Sequence, residues 1–266
     1  MSTLKRAFGG RSAANHGRAF VAFITCGDPD LATTAACVRA AVRGGADLIE
    51  LGIPFSDPTA EGPVIQAANE RALKGGVTTD KIFELARELR KDVTVPMVFM
   101  TYANVVYSYG IERFCDKCAE AGVDGMILPD VPFEEKEEFA PACRARGLDF
   151  ISLIAPTSEN RVAMIAKEAE GFLYIVSSMG VTGVRNEITT DIGAMVRLVR
   201  ENTSIPCAVG FGISTPAQAK RMADLSDGAI VGSAIVRLIA EHGKDAPEHV
   251  YEYVKSMKEG MGALGM

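Results

Sequence analysis

The stretch DLIELGIPFSDPTAEGP, residues 47–63, sets one carboxylate, Glu50, inside an apolar run and brings a second, Glu61, after a proline-rich loop. Two acids in unlike surroundings suit acid/base chemistry. Apolar neighbours Ile49, Leu51 and Ile53 discourage ionisation of Glu50 and raise its pKa toward neutrality, where a carboxyl group both gives and takes protons. Pro54, Pro58 and Pro63 stiffen the loop carrying Glu61, so less entropy is lost when it orders over a substrate. Each acid also has a plainer reading: Glu50 as a strand-end carboxylate paired with a Lys or Arg, and Glu61 as an exposed loop acid.

Three glycine-bearing stretches, SSMGVTG, GFGIS and GSAIV, follow apolar runs late in the chain. Singly, each is an ordinary turn. Together they fit a phosphate held by bare N–H groups at a helix N-terminus, with Gly183, Gly212, Gly232 and Ser233 as the expected donors. Other candidates read as structure. In the pair Cys115-x-x-Cys118, both thiols share a helical face with Ile111 and Phe114 and have no companion cluster, so they read as a buried thiol pair. The three histidines, His16, His242 and His249, fall away from these stretches, which argues against a histidine triad or a zinc hydrolase site.

These residues need a scaffold. Eight short apolar runs recur: FVAFITC, DLIEL, PMVFMTY, GMILP, DFISLIA, FLYIVSS, PCAVGFG and GAIVGS. Being apolar throughout rather than alternating, they suit parallel strands buried on both faces. Amphipathic segments lie between them, with expected caps at Thr79 and Asp80 and at Thr190 and Asp191, and expected ends at Gly44, Gly122 and Gly171. At roughly 30 residues per strand and helix unit the pattern is a single (β/α)8 TIM barrel domain over residues 1–266. An open doubly wound sheet is the competitor, but CGDPD after the first run is no dinucleotide fingerprint. Leu4 and Phe8 predict an extra N-terminal helix under the barrel, and Val250, Val254 and Met257 an inward face for the closing helix.

A formal net charge of −6, with both signs interspersed, argues against an extended nucleic-acid surface but leaves room for a small anionic substrate. The basic N-terminal stretch lacks an apolar core of signal length and no run approaches a membrane span, so a cytoplasmic protein with six reduced cysteines is expected.

In this order, LIELGIPFSDPTAEGPVIQ, PDVP, SSMGVTG, VGFGIS and VGSAIV resemble the tryptophan synthase alpha subunit family, over about Phe20 to Ile239. The resemblance implies a barrel that cleaves indole-3-glycerol phosphate by retro-aldol chemistry into indole and glyceraldehyde 3-phosphate, with neither metal nor organic cofactor. It makes Glu50 the principal acid/base, and Glu61 the second acid, which binds the indole N–H; that position is normally Asp. The indole pocket it implies comprises Phe23, Met100 (in place of the usual Leu), Tyr102, Ile127, Leu153, Tyr174 and Phe211; the plainer reading of these is ordinary barrel core, and for Phe23 and Leu153 both readings stay open. A lid over 178–191 is implied, with Gly180 and Gly183 as its hinge and Thr182 meeting the second acid. The implied partner is a pyridoxal-phosphate-dependent beta subunit in an alpha2beta2 heterotetramer, faced by Asp57, Pro58 and Asn104.

Two alternatives bear on this expectation. Another phosphate-binding barrel enzyme, such as a sugar-phosphate isomerase or indole-3-glycerol phosphate synthase, shares the glycine loops but leaves PFSDPTAEGP unexplained, and no expected strand ends in the lysine a synthase needs. A catalytically weakened subunit that mainly activates its beta partner is kept open by Glu61, because the departure from the family pattern sits at a catalytic position.

Overall fold

The computed structural model describes residues 3–9, 18–176, 191–210 and 212–262. Nine strands form one parallel sheet: β1 (Ala19–Thr25), β2 (Leu48–Gly52), β3 (Met97–Met100), β4 (Gly125–Ile127), β5 (Asp149–Ile151), β6 (Leu153–Ile154), β7 (Leu173–Val176), β8 (Cys207–Gly210) and β9 (Gly228–Val231). Their order is β5-β4-β3-β2-β1-β9-β8-β7-β6, so β5 and β6 are the two ends of the sheet. Only Ser152 separates them along the chain, and its carbonyl accepts from the Tyr174 N–H at 3.1 Å. The sheet therefore closes on itself through one interrupted strand, and the eight expected runs become a (β/α)8 barrel with the fifth run broken in two.

Around it lie α1 (Thr3–Gly9), α2 (Leu31–Arg43), α3 (Pro63–Lys74), α4 (Thr79–Leu89), α5 (Ala103–Tyr109), α6 (Ile111–Glu120), α7 (Ala140–Arg144), α8 (Glu159–Lys167), α9 (Ile192–Asn202), α10 (Pro216–Leu225), α11 (Ser233–His242) and α12 (Ala246–Gly260). Two expected boundaries are corrected. The cap of α4 is Thr78, whose hydroxyl accepts from the Lys81 N–H, not Thr79. Helix α8 ends at Lys167 rather than running on to Gly171, which takes a left-handed φ of 60° in the loop before β7. Asp191 does cap α9, accepting from the Ala194 N–H at 2.9 Å.

Side chains alternate across the wall, and two cores result. Phe20, Ala22, Ile24, Ile49, Leu51 and Phe99 pack outward against the helices, while Val21, Leu48, Val98, Ile127, Ile151 and Ile230 fill the barrel's interior. The bottom is plugged by α1: Leu4 and Phe8 join the interior core, with the Phe8 ring 5.1 Å from that of Phe172. On the outside Val250, Val254 and Met257 of α12 are fully buried, as their spacing predicts. The expected Cys115–Cys118 pairing is only part of the picture: both thiols are buried, but the Cys115 sulfur lies 3.7 Å from Cys143.

Near the bottom, Lys258 is 2% exposed and donates to Asp47 at 2.7 Å and to the Arg18 carbonyl at 3.2 Å, tying α12 to the start of β2. Burial pushes the Asp47 carboxyl up despite that cation, so Asp47 can neutralise when its partner is lost. Lys258→Ala is therefore expected to lower stability by about 2 kcal/mol, below the roughly 3–5 kcal/mol of a fully buried pair, as read by chemical denaturation. A loss under about 0.5 kcal/mol would class the pair with ordinary surface ion pairs.

Candidate active site

Glu50 follows Leu48 by two residues in β2, so the period of a strand turns it into the barrel, near the C-terminal end. It is fully buried, and neither carboxyl oxygen has a hydrogen-bond partner among the described residues. Burial alone pushes its pKa up to about 8. The expected direction holds, but the cause differs: Ile49 and Leu51 face the outer helices, and the dry surroundings come from inside the barrel. The plainer reading of Glu50, an ion-paired strand end, is not what the described residues show.

Phe23 lies level with Glu50 across β1 and β2, and its ring crosses Gly52 and Gly232, where added side-chain carbons would meet it at 2.6 and 3.3 Å. On the opposite wall Tyr174 lies against Gly210, where a Cβ would stand 2.5 Å from the phenolic oxygen. The bare glycines make room for two large rings in one small barrel mouth.

Glu61 reaches the same mouth from the loop after β2. Its carboxylate accepts a 2.6 Å hydrogen bond from the Asn69 amide of α3 and meets the Tyr102 hydroxyl, which itself accepts from the Ala60 N–H at 3.2 Å. Burial outweighs both hydrogen bonds and pushes Glu61 up to about 7. Asn69 escaped the sequence reading. Its only signal was an amide on the apolar stripe of α3 beside Ile65, Ala68 and Ala72.

One cleft joins these groups. Phe23, Glu50, Glu61, Met100, Tyr102, Tyr174, Gly212, Gly232 and Ser233 line it, with Ile65, Pro129, Ile213 and Ile230 completing its apolar walls. Gly232 and Ser233 are the cap and first residue of α11, whose first turn has no side-chain cap, so the positive end of that helix opens on the cleft. Gly212 sits at a φ of 79°, which a side chain would strain. Ile127 is fully buried in the interior core, where Leu153 also packs with the cleft residues Met100, Tyr174 and Ile230, and Leu153 further lines a neighbouring cavity that shares Ala60 and Pro129 with the cleft. Gly180, Thr182, Gly183 and Phe211 lie outside the described residues, as does most of the expected lid. Of the expected docking residues, Asp57 and Asn104 are exposed and Pro58 is half-buried.

The chain is thus a (β/α)8 barrel whose C-terminal mouth holds two carboxylates over an apolar floor, facing a helix N-terminus. The family model described as tryptophan synthase alpha chain matches residues 11–263. A curated tryptophan synthase alpha chain from Lacticaseibacillus casei is 46% identical over 249 residues, 94% of this chain and 93% of that one. The crystal structure of tryptophan synthase subunit alpha from Legionella pneumophila superposes with a TM-score of 0.89 at 35% identity, covering 98% of this chain and 99% of that one. A chain of the tryptophan synthase complex from Pyrococcus furiosus gives a TM-score of 0.81 at 33% identity, covering 90% and 97%. This chain belongs to the tryptophan synthase alpha chain family.

Proposed function

We infer that the chain carries out its family's reaction, the cleavage of indole-3-glycerol phosphate to indole and glyceraldehyde 3-phosphate, and that Glu50 and Glu61 handle its protons. The observation that carries this assignment is the buried Glu50 carboxyl, without a hydrogen-bond partner among the described residues, lining the same cleft as Glu61.

Glu50 starts protonated and gives its proton to indole C3, which becomes tetrahedral while the positive charge moves to the ring nitrogen. Ionised Glu61 accepts a hydrogen bond from that N–H and stabilises the charge. The Glu50 carboxylate then takes the proton from the adjacent side-chain hydroxyl. As the C=O forms, the bond to C3 breaks, and its electron pair returns to the ring and restores neutral indole. Glu50 ends protonated, ready for another turnover. Without prior protonation the leaving group would be a carbanion at C3, far too basic to depart. The apolar walls suit the bicyclic ring, and the N–H groups at Gly212, Gly232 and Ser233 suit the phosphate.

Turnover needs Glu61 ionised and Glu50 protonated. The kcat/KM profile is therefore expected to be bell-shaped, its acid limb near 7 where Glu61 takes up a proton and its basic limb near 8 where Glu50 loses one. A profile flat from pH 6 to 9 would contradict these assignments.

By the same reading the partner is a beta subunit carrying pyridoxal phosphate, in an alpha2beta2 assembly docked through the loops of Asp57, Pro58 and Asn104; the complex known for the Pyrococcus relative supports a partnered state. Passing apolar indole directly to a partner avoids its escape through membranes. The deciding assay incubates the purified chain with indole-3-glycerol phosphate, with and without a beta subunit, and measures indole. Indole in both arms is expected, faster with the partner. Partner activation without indole would instead fit the weakened-subunit alternative, which family membership does not favour.

A further inference from the structure

We propose that Asn69 is a positioning residue for this site, holding the Glu61 carboxylate over the cleft in an orientation that its side chain would not keep unaided. The inference rests on the reading of Glu61 as a working carboxylate.

Asparagine is a poor helix former, yet Asn69 stands in the middle of α3 and is only 4% exposed. A buried amide there is costly unless its donors are used, and one of them meets Glu61 at 2.6 Å. The loop backbone is tied to the same helix: the Gln66 side-chain amide donates to the Glu61 carbonyl at 2.7 Å, and the Gln66 N–H to the Gly62 carbonyl at 3.0 Å. Across the cleft, Tyr102 at the head of α5 holds the Ala60 N–H. Glu61 is thus pinned between α3 and the head of α5. A glutamate has one more rotatable bond than an aspartate, and a longer lever needs such a fixed point, because about 1 Å of misplacement costs roughly 100-fold in rate.

The same bond bears on the charge of Glu61. The titratable groups sharing the cleft are Glu50 from β2, Tyr102 at α5 and Tyr174 from β7. On its own loop Asp57 is exposed, and on α3 the neighbouring Arg71 is turned to Asp28 through paired 2.8 Å bonds. No Lys, Arg or His is among the described residues lining the cleft. The Asn69 donor, together with the Tyr102 hydroxyl, therefore favours ionised Glu61, and removing Asn69 raises the pH at which Glu61 loses its proton.

The test measures indole release by the full chain from indole-3-glycerol phosphate across pH 6–9 for wild type, Asn69→Ala, Asn69→Asp, Glu61→Gln and Asn69→Ala/Glu61→Gln. In Asn69→Ala the acid limb of kcat/KM is expected to move up by about one pH unit and kcat at pH 7 to fall about 10-fold, with KM changing less than about 3-fold. Asn69→Asp, which sets a second carboxylate beside the first, moves the limb further. In the Glu61→Gln background the Asn69 change costs no more than about 2-fold, because there is no charge left to hold. An acid limb that stays in place, or losses that simply multiply, would overturn the positioning role while Glu61→Gln remains impaired. Wild-type turnover by Glu61→Gln would instead remove the assigned role of Glu61, and this inference with it. Should Asn69→Ala not fold, the near-isosteric Asn69→Asp decides by the same limb.

Discussion

Glu50→Gln is expected to lower kcat by roughly 10³- to 10⁴-fold with little change in KM, measured as indole release at pH 7.5. Glutamine fits the same slot and still fills the space between Phe23 and the interior core, but it has no proton acidic enough to put on carbon and cannot take one from a hydroxyl. Packing and substrate binding survive, so the loss appears in the chemical step. The same substitution has a second signature, in stability. A carboxyl group whose pKa rises from 4.5 to about 8 on folding destabilises the folded state progressively as pH climbs from below 4.5 to above 8. At full development that penalty is on the order of 5 kcal/mol. Relative to wild type, Glu50→Gln should therefore gain stability between pH 5 and pH 8, in denaturation series at fixed temperature. A variant that loses activity but shows no such pH-dependent gain would mean that Glu50 is not held in a dry site, and the acid/base assignment would lose its physical basis.

Glu61→Ala is the second large effect, with kcat expected to fall roughly 10²- to 10³-fold. The reaction as proposed passes through a ring bearing positive charge, and among the described residues lining the cleft no other carboxylate remains once Glu50 is protonated. Glu61→Gln should cost nearly as much as Glu61→Ala, because it keeps an acceptor oxygen but not the charge. If Glu61→Ala retained more than about a third of wild-type turnover, the second acid would lie elsewhere. That the position holds Glu rather than the family's usual Asp matters through reach more than acidity: the intrinsic difference is about 0.4 pKa units, or about 0.5 kcal/mol.

Much of this was legible before any coordinates. Uniformly apolar runs gave the strand positions, because a strand buried on both faces has no polar side to show. Leu4 and Phe8 announced the bottom helix through their spacing alone. Glu50 was placed by its position at a strand end, and Gly212, Gly232 and Ser233 by following late strands. The boundaries that moved are those where several residues satisfy the same rule: Thr78 and Thr79 can each cap a helix, and only the direction of the incoming chain selects Thr78.

By itself, then, the sequence determined the repeat, the barrel and the two carboxylates, since periods of two and 3.6 residues are local properties of the chain. The tertiary structure decided what touches those carboxylates. Strand register sets Phe23 level with Glu50, closure through Ser152 brings Tyr174 onto the opposite wall, and the packing of α3 delivers Asn69 to Glu61. Each of these contacts joins side chains whose mutual placement depends on how the sheet curls and on the angle at which a helix packs. No local pattern of residue types records those quantities.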